Sequence, residues 1–179
     1  FAADGRIVVA EKSGLVKIFD GFGDPTPQIY SDLRTAVHDY WDRGLLGLAL
    51  DPQFTTGRPF IYVLYAYNKD PNSSTYPRWP DSCPSPPGGT DDGCVVTGRL
   101  SVLNGGVERV LIEDWCQQYP SHSIGSLAFG RDGALYVSGG DGASFEFPDW
   151  GAEGIPRNPC GDPPGAAGSA LSPPTAQGG

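Results

Sequence analysis

One decapeptide pattern occurs twice in the chain, and this internal repeat limits the possible folds more than any other feature. Residues 1–10, FAADGRIVVA, recur as FGRDGALYVS at 129–138, with Phe, Asp, Gly and Val in register. A looser third copy joins ALDPQF (49–54) to FIYVLY (60–65). Asp-Gly between two apolar runs is typical of a tight hairpin, because glycine accepts a positive φ without steric cost. The repeat therefore predicts a series of similar antiparallel sheets.

Short apolar runs rich in β-branched and aromatic residues predict strands along the chain. These runs lie at 6–10, 15–19, 60–67, 109–112 and 134–138. The best helical candidate, 32–41, is polar on every face, so no amphipathic helix is predicted. The fold class that follows is all-β.

The three copies of the repeat begin near residues 1, 49 and 129. The first interval matches one four-stranded propeller blade of about 40–50 residues. The second is comparable if residues 68–97, rich in Pro, Ser, Gly and Asp, form an inserted loop. We predict a partial β-propeller of about two and a half four-stranded blades over 1–150, followed by a Gly/Pro/Ala-rich loop or linker at 151–179. Because such a set cannot close a ring, the remaining blades must come from further chain or from a partner.

Charge and composition exclude several classes of function. Twelve Lys and Arg against 21 Asp and Glu give a net charge of −9. This balance argues against nucleic acid, which is bound by clustered basic side chains, and against a polybasic membrane contact. No apolar run reaches the roughly 18 residues of a transmembrane helix, and no signal peptide remains at the start. The absence of Met indicates a processed or partial chain.

The four cysteines lie in Pro-, Gly- or Asp-rich surroundings, at Cys83, Cys94, Cys116 and Cys160. No CxxC spacing occurs, so no structural metal site is predicted. Disulfides formed in an oxidising compartment are favoured over free buried thiols, which predicts a secreted or extracytoplasmic protein. Of the three possible pairings we favour Cys83–Cys94 with Cys116–Cys160, because the first pair would close the inserted loop.

Two long motifs carry a family resemblance. RGLLGLALDPQF (43–54) and HSIGSLAFGRDGALYVSGGDG (122–142) resemble the soluble quinoprotein glucose dehydrogenases and their sugar or sorbosone dehydrogenase relatives. The resemblance implies a six-bladed propeller that holds pyrroloquinoline quinone (PQQ) and calcium over its central channel. It also implies oxidation of an aldose at the anomeric carbon to the lactone, with hydride transfer to the quinone. In that family most PQQ and calcium ligands come from later blades, so this chain alone is expected to be inactive.

The resemblance places His122 at the position of the catalytic base, just before an inner strand. Imidazole suits that role because its ordinary pKa lies near working pH; the alternative is a loop histidine that caps a strand. Two positions depart from the glucose dehydrogenases: Asp42 stands in place of Gln, and Ser121 in place of an Asp. Asp42 is predicted either as a substitute carboxylate that binds substrate or as a solvated loop acid.

The RGLLG form also resembles the hedgehog-interacting-protein-like propellers, which are not known to act through a quinone. Arg43 is predicted either to steer an anionic cofactor through charge-assisted bonds or to anchor a surface acid such as Asp39. His38 is predicted to lie at the surface. Asp141, flanked by glycines, suits a turn better than a calcium site, which needs several convergent oxygens.

Loop aromatics could stack on sugar rings or pin the loops to their own domain; they are Tyr76, Trp79, Trp115 and Trp150.

The leading hypothesis is that the chain is part of a secreted PQQ-dependent sugar dehydrogenase. The alternative is a non-catalytic propeller that recognises carbohydrate or protein, and a third is a structural fragment of a larger assembly. The fold alone does not decide between them.

Overall fold

The structure is a computed structural model and describes residues 1–68, 96–117, 120–140 and 142. Within these ranges the chain forms β-strands and no helix, which confirms the all-β prediction. No described segment is an apolar helix of membrane-spanning length. The strands are β1 (Ile7–Ala10), β2 (Leu15–Phe19), β3 (Gln28–Asp32), β4 (Leu45–Leu50), β5 (Phe60–Tyr67), β6 (Val96–Asn104), β7 (Val107–Gln117), β8 (Ile124–Phe129) and β9 (Leu135–Gly139).

The strands form three antiparallel sheets in which each strand pairs with its neighbour in sequence. We call β1–β3 blade 1, β4–β7 blade 2 and β8–β9 blade 3. Blade 2 is a complete four-stranded meander, whereas blade 1 has three strands and blade 3 has two within the described residues. This division matches the predicted part of one blade, a whole second blade and the beginning of a third.

The internal repeat identifies which strand of a blade is which. In the copy at 129–138, the Asp132–Gly133 turn joins β8 to β9, and Gly133 has a φ of +80°. In the copy at 1–10, the corresponding turn leads into β1. Strand β1 is therefore the equivalent of a second strand, so blade 1 contains the equivalents of strands two, three and four.

Sequence patterns found the apolar strands and missed the polar ones. The predictions at 15–19 and 60–67 coincide with β2 and β5, and 109–112 is the middle of the longer β7. Strand β6 lacks an apolar pattern because Thr97, Arg99 and Ser101 are all buried in it. The segment 32–41, the best helical candidate, contains the end of β3 and a turn instead.

Neighbouring sheets pack face to face through an apolar core. Between blades 1 and 2, Val37 forms an antiparallel bridge with Tyr67, and both side chains are buried. Between blades 2 and 3, β4 lies against β8. There a Cβ added at Gly47 would lie 3.1 Å from Cγ of Leu127 and 3.5 Å from the carbonyl oxygen of Gly125, both in β8. The inner strands thus approach closely because β4 carries a glycine at this point.

Alternating strand direction sorts the connections to two ends of the blades. We call the end with residues 36–44 and 120–123 the front end, and the end with the turns 105–106 and 130–134 the back end. Strand β5 ends, and β6 begins, at the front end, so the predicted 68–97 insertion departs from there. Strand β6 already includes Val96 and Thr97, and most of the insertion, like the whole 151–179 segment, lies outside the described residues.

Candidate functional site

The front end brings together the residues that precede the two inner strands. The backbone N–H of Asp42, just before β4, donates to the carbonyl of Pro120, just before β8, at 3.0 Å. A Cβ built on Gly47 would lie 3.5 Å from the carbonyl oxygen of Gly125. The strands β4 and β8 therefore run side by side in one direction. As a result, the segments that carry Asp42 and His122 meet at one end.

His122 is exposed, and its backbone is held tightly. Its carbonyl accepts the N–H of Gly142 at 2.9 Å, while the N–H of Gly140 donates to the carbonyl of Ser123 at 2.7 Å. A Cβ on Gly140 would lie 2.1 Å from the carbonyl oxygen of His122. His122 also has a φ of +49°, which is uncommon for a residue other than glycine. The imidazole is thus presented at the front end, and its role as a base stays a prediction.

The residues on either side of His122 are buried. Ser121 is fully buried, and the Ser123 hydroxyl donates to Oε1 of Gln117 at 2.8 Å. The position where the dehydrogenases have an Asp before the His is therefore occupied by a neutral side chain inside the protein. No carboxylate from this position can orient or charge the imidazole.

Arg43 is buried completely, with an exposed fraction of 0%. Its Nη2 donates to the carbonyl of Gln117 at 3.1 Å, so it links the start of β4 to the end of β7. A contact between Arg43 and a quinone carboxylate would require this side chain to move, and that contact stays a prediction. Asp39, the surface acid considered for Arg43, forms an ion pair with Lys12.

Asp42 is exposed at the front end and is anchored through its backbone. Its surroundings agree with a carboxylate that is accessible to a ligand, and equally with a solvated loop acid. Its predicted role in substrate binding stays a prediction.

The prediction that His38 lies at the surface is wrong, because its exposed fraction is 4%. The bridge between Val37 and Tyr67 draws this segment against the end of β5, where the N–H of His38 donates to the carbonyl of Ala66 at 2.8 Å. A polar sequence is buried here because its backbone pairs with a strand.

Sequence reasoning missed Trp41, which is 51% exposed at the front end. Among the described residues other than glycine, only Trp41 and His122 have a positive φ, and both values are 49°. The rings of Tyr40 and Trp41 lie nearly perpendicular, with centroids 6.4 Å apart. The signal that could have indicated it is its position directly before Asp42.

Trp115, one of the four aromatic residues predicted to contact sugar or pin a loop, lies on β7 and packs against the core. A Cβ on Gly139 would lie 2.1 Å from Cζ2 of this indole, so Trp115 fills the space between β7 and the end of β9. This contact favours the pinning alternative. The other three proposed aromatics, Tyr76, Trp79 and Trp150, lie outside the described residues.

The part of the chain that the structure describes contains no group of three or more His, Cys, Asp or Glu side chains close enough to hold a metal ion. Binding of PQQ and calcium stays a prediction. At the front end, Arg43 is buried and Lys12 is paired with Asp39. Asp141 and the side chains of all four cysteines lie outside the described residues, so neither the predicted turn at Asp141 nor the disulfide pairing can be placed.

A second ionisable cluster stabilises blade 2. The Tyr65 hydroxyl donates to Oε1 of Glu108 at 2.6 Å and accepts from Nη1 of Arg99 at 3.1 Å. Arg99 also bonds Glu113 at 2.5 Å and stacks on Tyr67, with Cζ 3.2 Å from the ring centroid. Burial, together with the nearby Glu108 carboxylate, raises the pKa of Tyr65. These groups satisfy one another across β5, β6 and β7, which indicates a structural role.

A cleft of about 250 Å³ lies at the back end of blade 2, away from His122. It is lined by Phe60, Val102, Asn104, Val107, Glu108 and Arg109. The cleft does not contribute to the front-end site, because it lies at the opposite end of the blades from the first residues of β4 and β8.

The chain is similar to known proteins in both sequence and structure. The family model described as Glucose / Sorbosone dehydrogenase matches residues 1–153. A crystal structure from Thermus thermophilus, described as an oxidoreductase (glucose dehydrogenase), matches with a TM-score of 0.52 and 24% identity over 79% of this chain. The chain spans 35% of the length of that protein. At this identity the structural match speaks for the fold alone, and it confirms the partial β-propeller.

Proposed function

Because the chain belongs to the glucose/sorbosone dehydrogenase family, we propose that the complete protein oxidises an aldose at its anomeric carbon to the lactone. The family is generally PQQ-dependent, and PQQ, when bound, supplies the acceptor for the hydride that leaves the anomeric carbon. The observation that carries the proposal is the exposed imidazole of His122 at the front end, beside the start of the neighbouring inner strand.

In this proposal His122 takes the proton of the anomeric hydroxyl. As that O–H bond breaks and the hydride leaves, the second C–O bond forms, which gives the lactone. A neutral imidazole nitrogen can accept this proton near neutral pH. The backbone contacts of His122 with Gly140 and Gly142 support the role, because they fix the backbone position from which the ring projects.

Asp42 is proposed to bind sugar hydroxyls. Its anchored backbone and exposed carboxylate support this role, since an ionised carboxylate accepts hydrogen bonds from hydroxyl groups. Arg43 is proposed to contribute to cofactor binding only after release from Gln117, and its burial makes it the weaker of the two assignments.

The remaining PQQ and calcium ligands are proposed to come from further blades, supplied by more of the chain or by a partner. The support for this is that the chain spans 35% of the length of the Thermus thermophilus protein. We also propose that the protein is secreted, with disulfides Cys83–Cys94 and Cys116–Cys160. Peptide mass mapping without reduction tests the pairing, and any other linkage pattern would contradict it.

The alternative function is a propeller of the same family that binds carbohydrate or protein without chemistry. The observation that favours it is the buried, neutral Ser121 beside His122, because catalysis through His122 would lack the carboxylate neighbour of the dehydrogenases.

The test reconstitutes the full-length protein that contains this chain with PQQ and calcium and measures dye reduction with common aldoses. We expect His122→Ala to lower kcat at least about 100-fold, the usual contribution of a general base. Arg131→Ala is the control, because Arg131 is exposed in the back-end turn of the same hairpin. Full activity in His122→Ala would remove the proposed base. Absence of aldose-dependent reduction in the wild type would favour the binding module.

A further inference from the structure

We propose that Trp41 is a sugar-binding residue, an aromatic platform on which the pyranose ring of the substrate stacks at the front end. The inference rests on the proposed function for the identity of the ligand as an aldose. Its structural basis is the position of Trp41 directly before Asp42, in the segment that the Asp42 to Pro120 hydrogen bond ties to the loop of His122.

The indole of Trp41 is largely open to solvent and is not packed in the core. About half of its surface is exposed, although large aromatic side chains normally contribute heavily to a core. Its only described ring neighbour is Tyr40, and the planes of the two rings meet at 86°. A perpendicular contact of this kind supports the indole and leaves much of it accessible.

The backbone holds Trp41 in a conformation that a bulky residue rarely adopts. Its φ of +49° lies in the left-handed region, which is an outlier for a side chain of this size. The turn is closed by the N–H of Arg43, which donates to the carbonyl of Tyr40 at 2.9 Å, and by the N–H of Asp42, which donates to Pro120. Strained backbone conformations persist where the surrounding contacts hold them in place, and they are concentrated at ligand-binding sites.

An indole beside a carboxylate matches the chemistry of a pyranose. One face of the sugar ring presents C–H groups, which pack against an aromatic face, and its rim presents hydroxyls, which donate to carboxylate oxygens. Asp42 supplies such a carboxylate next to Trp41 in sequence. Ligand sites combine an apolar surface with a few polar groups in this way. A rigid indole also loses little conformational freedom on binding.

The experiment measures binding of methyl β-D-glucopyranoside to the full-length protein by ligand-observed saturation-transfer NMR. This probe keeps the pyranose ring, but its anomeric oxygen is capped, so binding is measured apart from oxidation. The variants are Trp41→Ala and Trp41→Phe. The matched control is Phe22→Ala, since Phe22 is an aromatic residue 90% exposed at the back end of blade 1.

We expect Trp41→Ala to weaken binding of the glucoside about tenfold, because an aromatic contact is lost. Trp41→Phe should retain most of the affinity, and Phe22→Ala should leave the affinity unchanged. On the reconstituted protein, Trp41→Ala should raise KM for D-glucose with little change in kcat. Equal affinity in Trp41→Ala and wild type, or no binding by the wild type, overturns the proposal. Trp41-dependent binding of the glucoside without oxidation of any aldose supports the platform and contradicts the dehydrogenase.

Discussion

At the scale of single residues, the front end combines exposed groups in strained conformations with polar groups that are fully enclosed. Trp41 and His122 have left-handed backbones and are exposed, whereas Arg43, two residues after Trp41, and Ser121, directly before His122, are buried. A left-handed residue other than glycine costs of order 1–3 kcal/mol. The surrounding hydrogen bonds must therefore stabilise these two backbones.

The burial of Arg43 leads to a prediction that separates a structural role from a cofactor role. Arg43→Ala removes the guanidinium from Gln117 and leaves a cavity, so we expect the free energy of unfolding of the full-length protein to fall by roughly 3 kcal/mol. Chemical denaturation measures this change, with Arg131→Ala as the exposed control. If Arg43→Ala unfolds like wild type but binds PQQ more weakly, Arg43 is a cofactor ligand and the structural role is wrong.

At the scale of elements, apolar runs were enough to identify some of the strands that contribute to the core. The runs at 15–19 and 60–67 predicted β2 and β5 residue for residue. Strand β6 was not predicted because buried polar residues interrupt its apolar pattern. One of them, Arg99, donates to the hydroxyl of Tyr65, 34 positions away in sequence. Such pairing has no signature in a local window of sequence.

The contact between β4 and β8 gives a prediction at the same scale. Gly47→Ala would insert a methyl group 3.1 Å from Cγ of Leu127 in β8 and 2.9 Å from Cβ of Leu64 in β5, so the two blades must separate or the neighbouring side chains must repack. Overpacking of this kind costs about 1–3 kcal/mol. Gly23→Ala is the matched control, because a Cβ there meets no atom within 4 Å. Thermal unfolding of both variants measures the difference, and equal midpoints would show that the sheets are not closely packed at Gly47.

At the scale of the whole molecule, the sheets are parts of a propeller that the described residues do not complete. Strand β1 is the equivalent of a second strand, and within the described residues it pairs with β2 alone. Unpaired strand edges expose backbone groups that seek partners. We therefore propose that another strand pairs with β1 in the full-length protein.

Hydrogen exchange tests that pairing. In the full-length protein we expect the amides of β1 to exchange as slowly as those of β5 and β6, which have partners on both sides. The outer strands β3 and β7, each with one described partner, supply the internal comparison and should exchange faster. Exchange of β1 at the rate of β7 would mean that its edge stays open.

Much of the front-end site was accessible from sequence, because two long motifs carry the resemblance to a family. His122 and Asp42 were identified through that resemblance, and their chemical roles stay predictions. The buried state of His38 could not be predicted, since it depends on a bridge between Val37 and Tyr67, 30 positions apart. Trp41 was missed because its exposure and its φ are properties of the folded turn.

The amino-acid sequence by itself determined the all-β class, the repeating sheets and their Asp-Gly turns, because alternation of apolar residues and the φ preference of glycine act over a few neighbouring positions. Only the tertiary structure decided which polar side chains are enclosed and which reach solvent. It also decided that the segments before β4 and β8 meet. Burial and proximity are set by packing between residues distant in the chain, and no local pattern encodes that packing.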